Sequence, residues 1–363
     1  MNYRIATVLA KEDASTAKTK TIDLTLRDIV SRIIIRMRAT NGATRAELLA
    51  HPAKLVSKIE LVDGSNVLFA LNGYEAQALN YYDQLVTPDT EIQDSENAEN
   101  FCTYCMDFGR FLYDPLLAFD PKKFINPQLK ITHNYRAVDA DAAAGNLEVF
   151  AHIFDEKEVA PTGFLMSKQV QTYDSAAATY EYVDLPTDYP IRKLLIRAYL
   201  EGKAFDSEIS EFKLSEDSDR RIPIDTLLEP HMRDLCGSFP PIIEHWLVRA
   251  QAASTAIFGM PTYWPMLNGL GHAADDLRRD GSLLEADKIG ILATAAQDFP
   301  SAGSIVGYIP HQVVSFNFGL QNDLADWYDV TKLGSLRARL KGTTGSNAAE
   351  VTLFLQQLRS YGA

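Results

Sequence analysis

The chain has 363 residues, 35 basic and 48 acidic, which gives a formal net charge of −13. At roughly 150 residues per domain this length indicates two domains, and the 46% hydrophobic composition excludes a wholly disordered chain. The acidic balance argues against direct binding of nucleic acid, because that binding depends on Lys and Arg neutralising phosphates.

The first 19 residues are small, polar and charged, and they indicate an extended arm. Their apolar core is too short for a secretion signal. No apolar run later in the chain approaches the roughly 20 residues that a membrane-spanning helix needs. We therefore expect β structure to begin near residue 20.

The chain repeats a strand pattern over a long distance. Residues 21–24 and 30–36 are followed 161 positions later by a matching pattern at 182–185 and 191–197. Each copy predicts one strand, a short connection and a second strand rich in aliphatic residues. The identical positions are Asp23/Asp184, Leu24/Leu185, Ile35/Ile196 and Arg36/Arg197.

A second block recurs at an offset of 153 and predicts a hairpin in each half. Residues 57–61 and 210–214 alternate between apolar and charged types, as in a half-buried strand. In the first copy Gly64 provides a turn, and residues 67–71 return as the partner strand. In the second copy, the return strand contains residues 222–224.

Each return strand ends at a side chain that is typical of a helix N-cap. Asn72 ends the first and Asp225 the second, and each can accept a hydrogen bond from an otherwise unpaired amide. The sequence therefore predicts short helices at about 74–84 and 226–235.

A third block closes each half. Residues 117–124 resemble 327–333 at an offset of 209. Three blocks in the same order favour tandem duplication over chance. The strands that follow correspond through Leu129 with Leu336 and through Val149 with Val351, at offsets of 207 and 202.

The resulting boundaries include an insertion with no counterpart in the first half. Within it, residues 242, 243, 246, 247 and 250 form an apolar stripe at helical spacing, and Pro241 suits a first helical turn. The Pro and Gly residues between Phe258 and Gly271 predict a loop. The expected divisions are an arm at 1–19, a first β domain at 20–156, a linker at 157–163, and a second β domain at 164–363 with its insertion at about 236–290.

Metal and redox sites find little support. An enzyme with two metal-binding β-barrels needs converging His and carboxylate ligands, but no histidine lies within four residues of another. Cys102 and Cys105 have the spacing of a redox pair or half a zinc site, but there is no second pair. We expect both to be small strand residues, and three cysteines favour synthesis in a reducing compartment. The histidines are His51, His133, His152, His231, His245, His272 and His311.

Three other patterns have ordinary structural explanations. Residues 269–274 match a loose dinucleotide pattern but lack the βαβ context, so a loop before a helix is expected. Residues 139–141 and 216–219 contain carboxylates suited to Ca²⁺, but solvated turns are favoured. The stripe around Trp246 suits a helix covering a barrel end better than a membrane or partner contact. No catalytic, cofactor-binding or metal-binding residue is assigned.

The strand blocks resemble those of double jelly-roll major capsid proteins of tailless, icosahedral, membrane-containing bacteriophages. The resemblance is carried by residues 56–69, by 184–186 leading to 194–197, and by the ending at 327–329 through 356–361. It implies an all-β fold of two tandem eight-stranded jelly-roll sandwiches with short helices and a helical or loop insertion in the second. It also implies a structural protein rather than an enzyme, with no cofactor.

The resemblance implies homotrimers with a pseudo-hexagonal outline that tile an icosahedral shell. The implied partners are neighbouring capsomers, other capsid or vertex proteins and an internal membrane, without direct contact to nucleic acid. The implied location is the virion capsid after synthesis in the host cytoplasm. Arg4, Lys11, Lys18 and Lys20 of the arm suit contact with anionic lipid headgroups.

Two other classes of function stay open at this stage. One is a carbohydrate-binding or adhesive β-sandwich protein, in which exposed Tyr and Trp side chains provide stacking surfaces. The other is a bicupin-like metal enzyme, which the scattered histidines disfavour. The size of the purified protein separates them, because the capsid hypothesis predicts trimers and larger shells.

Overall fold

Strands dominate the first half of the chain. The computed structural model describes residues 1–43, 48–250, 254–271, 277–278, 284–285, 288–293 and 299–362. A helix, α1 (Gly73–Gln84), and two short 3-10 turns, Pro52–Leu55 and Pro121–Lys123, lie between the strands. The strands are β1 (Tyr3–Asp13), β2 (Lys18–Asp23), β3 (Val30–Thr40), β4 (Val56–Asp63), β5 (Asn66–Leu71), β6 (Thr90–Asp94), β7 (Glu99–Asp107), β8 (Pro127–His133) and β9 (Ala144–Phe154).

The second half is also built mainly of strands. Its helices are α2 (Phe205–Glu208) and α3 (Leu228–Ser238), and a 3-10 turn occupies Leu324–Asp326. The strands are β10 (Gly163–Asp174), β11 (Tyr180–Leu185), β12 (Ile191–Tyr199), β13 (Ile209–Glu216), β14 (Arg221–Leu227), β15 (Ile242–Ala250), β16 (Ser254–Phe258), β17 (Pro261–Gly271), β18 (Leu277–Arg278), β19 (Leu284–Glu285), β20 (Lys288–Ala293), β21 (Phe299–Pro310), β22 (Val313–Asn317), β23 (Leu336–Gly342) and β24 (Glu350–Ser360).

Each half forms two packed sheets with the same strand order. In the first half, sheet 1a has the order β1-β9-β3-β7 and sheet 1b the order β2-β8-β4-β5. In the second half, sheet 2a has the order β10-β24-β12-β22 and sheet 2b the order β11-β23-β13-β14. Ile33 and Ile59 join sheets 1a and 1b in one core, and Ile196 and Phe212 join sheets 2a and 2b in another. The predicted all-β fold of two tandem jelly rolls is confirmed.

The repeated sequence blocks occupy equivalent strands. The first block corresponds to β2 with β11 and β3 with β12, and the second to β4 with β13. In the third block Phe119 forms an isolated bridge with Val30, and Tyr328 forms the same bridge with Ile191. Gly64 has a positive φ of 60° at the predicted hairpin turn.

The predicted alignment of β8 with β23 is wrong by two residues. Leu61 pairs with Leu129, and its counterpart Leu214 pairs with Ala338. Leu129 therefore corresponds to Ala338, not to Leu336.

The last strands show the same error. Ile35 pairs with Val149, and its counterpart Ile196 pairs with Leu353 rather than Val351. A strand has a side-chain period of two, so a shift of two residues preserves its apolar face and leaves the sequence pattern unchanged.

The N-terminal segment is a strand rather than an arm. Strand β1 pairs antiparallel with β9 from Tyr3 opposite Phe154 to Asp13 opposite Asn146, and it is the edge of sheet 1a. Its residues are exposed or half-buried, because an edge strand has one neighbour only. That weak burial explains why the segment lacks a strong alternating pattern.

The inserted segment is β structure where a helix and a loop were expected. In β15 the side chains of Ile242, Glu244 and Trp246 are buried, whereas Ile243 and Leu247 are exposed. This alternation is that of a strand, but residues four apart share a face in a helix as well, so the apolar stripe fitted both periods. The predicted loop at 258–271 is largely strand β17.

The inserted strands continue to Pro310, beyond the predicted boundary at 290. Of the loose dinucleotide pattern, residues 269–271 belong to β17, and residues 272–274 lie outside the described part of the chain. Strand β15 pairs in parallel with β6, so the inserted strands extend sheet 1a into a longer sheet. Among the described residues, no helix has the length and apolar character to cross a membrane.

The two predicted helix caps have different outcomes. The Asn72 side chain accepts a hydrogen bond from the Glu75 amide (2.9 Å), and the Glu75 carboxylate accepts one from the Asn72 amide (3.0 Å). This capping box confirms the first prediction. The second is wrong, because β14 continues past Asp225 and α3 follows Leu227 without a side-chain cap.

We expect Asn72→Ala to lower the free energy of unfolding by about 1 kcal/mol, because the Glu75 amide loses its acceptor. Chemical denaturation of the purified protein measures the loss. Asp225→Ala is the matched control and should cost no more than about 0.5 kcal/mol. Equal losses in the two variants would contradict the assignment of the cap.

Candidate functional site at the junction of the two jelly rolls

Helix α1 belongs to the first jelly roll but packs against the second. Most of its residues are buried, so it lacks the exposed polar face of a surface helix. The Tyr82 hydroxyl donates a 2.8 Å hydrogen bond to the Val313 carbonyl in β22. The neighbouring Tyr81 hydroxyl donates to the Pro240 carbonyl. Helix α1 therefore covers the face of sheet 2a that points away from sheet 2b.

The two jelly rolls also share a continuous sheet. Strand β5, at the edge of sheet 1b, pairs in parallel with β10, at the edge of sheet 2a. The pairs are Phe69 with Ser167 and Ala70 with Lys168. Backbone hydrogen bonds between strands therefore join the two halves.

A buried charge cluster fixes α1 on sheet 2a. One oxygen of Asp83 in α1 accepts hydrogen bonds from Arg192 Nη1 (2.6 Å) and Lys193 Nζ (2.5 Å). The other oxygen accepts a 2.7 Å bond from Gln356 Nε2. The side chains of Asp83, Arg192 and Lys193 are each 2% exposed or less. We call Asp83, Arg192, Lys193 and Gln356 the junction cluster.

The electrostatics of the junction cluster follow from burial and opposite charge. Burial alone would raise the pKa of Asp83, but the charges of Arg192 and Lys193 outweigh it and the pKa is lowered. Burial lowers the pKa of Lys193 to about 8, because its desolvation outweighs its attraction to Asp83. Because a buried charge without a partner is strongly destabilising, this cluster disfavours positions of α1 that separate Asp83 from the two cations.

A second polar contact supports the same helix. The Glu75 carboxylate, already part of the capping box, accepts hydrogen bonds of 2.8 and 2.9 Å from Gln169 in β10. The Arg197 guanidinium in β12 lies over the rings of Tyr74 and Tyr199, at 4.5 and 4.2 Å from their centres. Such cation–π contacts add stability where the cation is desolvated.

Two histidines that are far apart in sequence, His51 and His311, come together at one place. His51 Nε2 is 2.8 Å from Glu244 Oε1, and His311 lies against His51 with ring centres 4.6 Å apart. His51 Nδ1 accepts from the Ala53 amide (3.0 Å), and His311 Nε2 contacts Gln77 Oε1 (2.8 Å). Among the described residues no group of three or more His, Cys, Asp or Glu side chains is placed to hold a metal ion.

The two spaced cysteines are strand residues, as expected. Cys102 and Cys105 lie on β7 as free thiols. An odd separation of three places them on opposite faces of the strand, so they do not form a pair. Burial raises the pKa of both thiols and keeps them protonated.

The acidic segments serve as turns. Asp139 accepts hydrogen bonds from the amides of Gly42 (3.0 Å) and Asp141 (2.9 Å). Asp217 accepts from the amides of Gly334 (2.9 Å) and Ser335 (3.0 Å). These carboxylates hold backbone amides of neighbouring loops.

The junction cluster was not predicted from the sequence. Its signal was the adjacent cations Arg192 and Lys193 in a strand that is largely apolar and is buried on both faces. Cations in such a strand need a buried partner, but nothing in the spacing of Asp83 identifies it as that partner.

We expect Asp83→Ala to lower the free energy of unfolding by about 3–5 kcal/mol, because Arg192 and Lys193 stay buried without a carboxylate. Calorimetry or chemical denaturation measures the loss. The matched control is Asp184→Ala, which breaks an exposed 2.7 Å pair with Arg337 and should leave stability unchanged. A similar effect of both substitutions would contradict a structural role for the junction cluster.

The junction cluster also predicts a dependence on pH. The folded-state pKa of Asp83 is lowered, so its stabilisation is full above the unfolded value of about 3.9 and is lost as the pH falls below it. We expect the stability difference between the wild type and Asp83→Asn to narrow below about pH 4. A constant difference from pH 7 to pH 3 would contradict the lowered pKa.

Comparison with known proteins places the whole chain in one fold. No family model and no curated protein matches the sequence. Among solved structures, the STIV MCP, from Sulfolobus Turreted Icosahedral Virus, is similar over 99% of this chain and 97% of its own, with a TM-score of 0.63 and 10% identity.

Two further structures agree. The major capsid protein P2 from bacteriophage PM2 is similar over 99% of both chains, with a TM-score of 0.55 and 11% identity. The PBCV-1 virus capsid is similar over 98% of this chain and 94% of that one, with a TM-score of 0.59 and 8% identity. The chain therefore has the double jelly-roll fold seen in these viral capsid proteins.

Proposed function

We propose that this chain is a structural major capsid protein whose homotrimers form pseudo-hexagonal capsomers that tile an icosahedral shell. The observation that carries the proposal is the fixed side-by-side arrangement of two jelly rolls with the same strand order. The similar structures are named as viral capsid proteins, and they match over nearly their full length. The proposed role is structural and requires no catalytic group.

The geometry suits a closed ring. Two similar barrels in one chain make three chains equivalent to six barrels, and a cyclic trimer is a closed symmetric assembly. The junction cluster and the shared sheet hold the two barrels at one angle. A fixed angle inside each chain is what a regular six-lobed outline requires.

The proposed location is the virion capsid, after synthesis in the host cytoplasm. The free cysteines support a reducing site of synthesis. A net charge of −13 repels nucleic acid, so we place a membrane or other capsid and vertex proteins between shell and genome.

Direct contact with lipid rests on few residues. Arg4 pairs with Asp28 (2.6 Å) and Asp155 (3.0 Å), and Lys20 pairs with Glu12 (2.7 Å). Of the basic residues proposed for membrane contact, Lys11 and Lys18 are left to carry it.

We expect the purified protein to be a trimer of about 120 kDa, three times the chain mass of 40.4 kDa, with shells forming at higher concentration. Light scattering after size-exclusion chromatography measures both species. A stable monomer at all concentrations would contradict the capsid function. A monomer that binds glycans would favour the adhesive alternative, and one with bound transition metal the enzyme.

A further inference from the structure

Several sheet edges have no neighbour among the described residues, and two of them correspond to the edges that meet inside the chain. Strand β1 ends sheet 1a, and strand β14 ends sheet 2b. Both carry exposed apolar side chains: Ile5 is 62% exposed, Leu227 57% and Ile222 43%. Open edges with apolar side chains are sites of association unless another chain covers them.

Strand β14 is the counterpart of β5. Leu61 in β4 pairs with Phe69, and its repeat partner Leu214 in β13 pairs with Ile224. Phe69 therefore corresponds to Ile224, and Ala70 corresponds to Asp225. Strand β5 joins β10 through Phe69 and the following residue, so β14 presents the equivalent edge.

Strand β1 is the counterpart of β10. Thr7 pairs with Phe150 in β9, and Gln169 pairs with Phe354 in β24. Both ladders are irregular directly after these residues, so the same irregularity occurs at the same place in both halves. Ile5 therefore corresponds to Ser167, and Ala6 corresponds to Lys168.

We propose that β14 of one copy pairs in parallel with β1 of a second copy, with Ile224 opposite Ile5 and Asp225 opposite Ala6. The contact repeats between chains the β5–β10 pairing that exists within one chain. It rests on the proposed function, because a contact between two different edges closes into a ring at a fixed number of copies. Pro223 lacks an N–H, which confines the pairing to the residues after it.

A neighbouring surface supports the same partner. Arg32, Arg36 and Arg38 lie half-buried on the outward face of sheet 1a, where Arg36 and Arg38 rest over the rings of Phe150 and Phe101 of the same sheet. Arg36 corresponds to Arg197, whose guanidinium is covered by Tyr74 of α1. Arg197 is buried whereas Arg36 stays partly exposed, so the outward face of sheet 1a is less covered than the face of sheet 2a beneath α1.

Helix α3 is the element that would provide this cover. It follows β14 as α1 follows β5, but it keeps an exposed face that includes Arg233 and Asp234. If β14 pairs with β1 of a second copy, the repeat places α3 over sheet 1a of that copy. Edge pairing and helix cover then form one interface.

Cysteine cross-linking tests the pairing directly. Ala6→Cys and Asp225→Cys are introduced together in a Cys236→Ser background, and the purified trimer is oxidised. We expect covalent dimers and trimers on denaturing gels, because paired residues of adjacent strands bring their Cα atoms within disulfide range. The control combines Lys11→Cys with Asp225→Cys. Lys11 lies roughly 16 Å farther along β1 than Ala6, at about 3.3 Å per residue, so this pair should stay uncrosslinked.

Hydrogen exchange on the unmodified protein gives a second readout that needs no substitution. We expect amides in residues 4–8 and 224–227 to be protected in the trimer. Trimers that lack both the cross-link and this protection would overturn the edge pairing and leave the capsid function standing. A wild-type chain that stays monomeric would overturn the capsid function, and the edge pairing with it.

Discussion

The arrangement of the two jelly rolls depends on one buried carboxylate. Asp83 accepts hydrogen bonds from Arg192 and Lys193, and so holds the helix of one barrel on a sheet of the other. Burying either cation without this partner is strongly destabilising, so a second position of the helix is disfavoured. Backbone pairing of β5 with β10 also fixes the register between the two jelly rolls, but it includes only two residue pairs. Apolar contacts act together with these charges, because Leu195, Val313 and Phe354 of sheet 2a belong to the same buried cluster as Ile33 and Ile59.

Much of the fold was predictable because strands with one buried face alternate. The repeated blocks located β2, β3 and β4 and their counterparts, and the polar pattern at Asn72 located a capped helix. Edge strand β1 lacked that alternation, and the stripe in β15 fitted a helix and a strand equally. Junction contacts join residues more than a hundred positions apart, and no local pattern records such a pairing.

The two jelly rolls have equivalent edge strands. One pair is used within the chain, where β5 meets β10, and the equivalent pair stays open at β14 and β1. Monomeric proteins generally protect such edges with charged side chains, because an exposed apolar edge promotes association. The exposed apolar side chains of Ile5 and Leu227 instead suit a surface that another copy covers.

Cryo-electron microscopy of the purified oligomer tests most directly whether the two jelly rolls are held at one angle and assemble as equivalent barrels. We expect class averages with six similar lobes, in which the spacing between barrels of one chain equals the spacing between barrels of adjacent chains. A ring of three bilobed particles with unequal spacing, or particles in which the two barrels vary in angle, would contradict it.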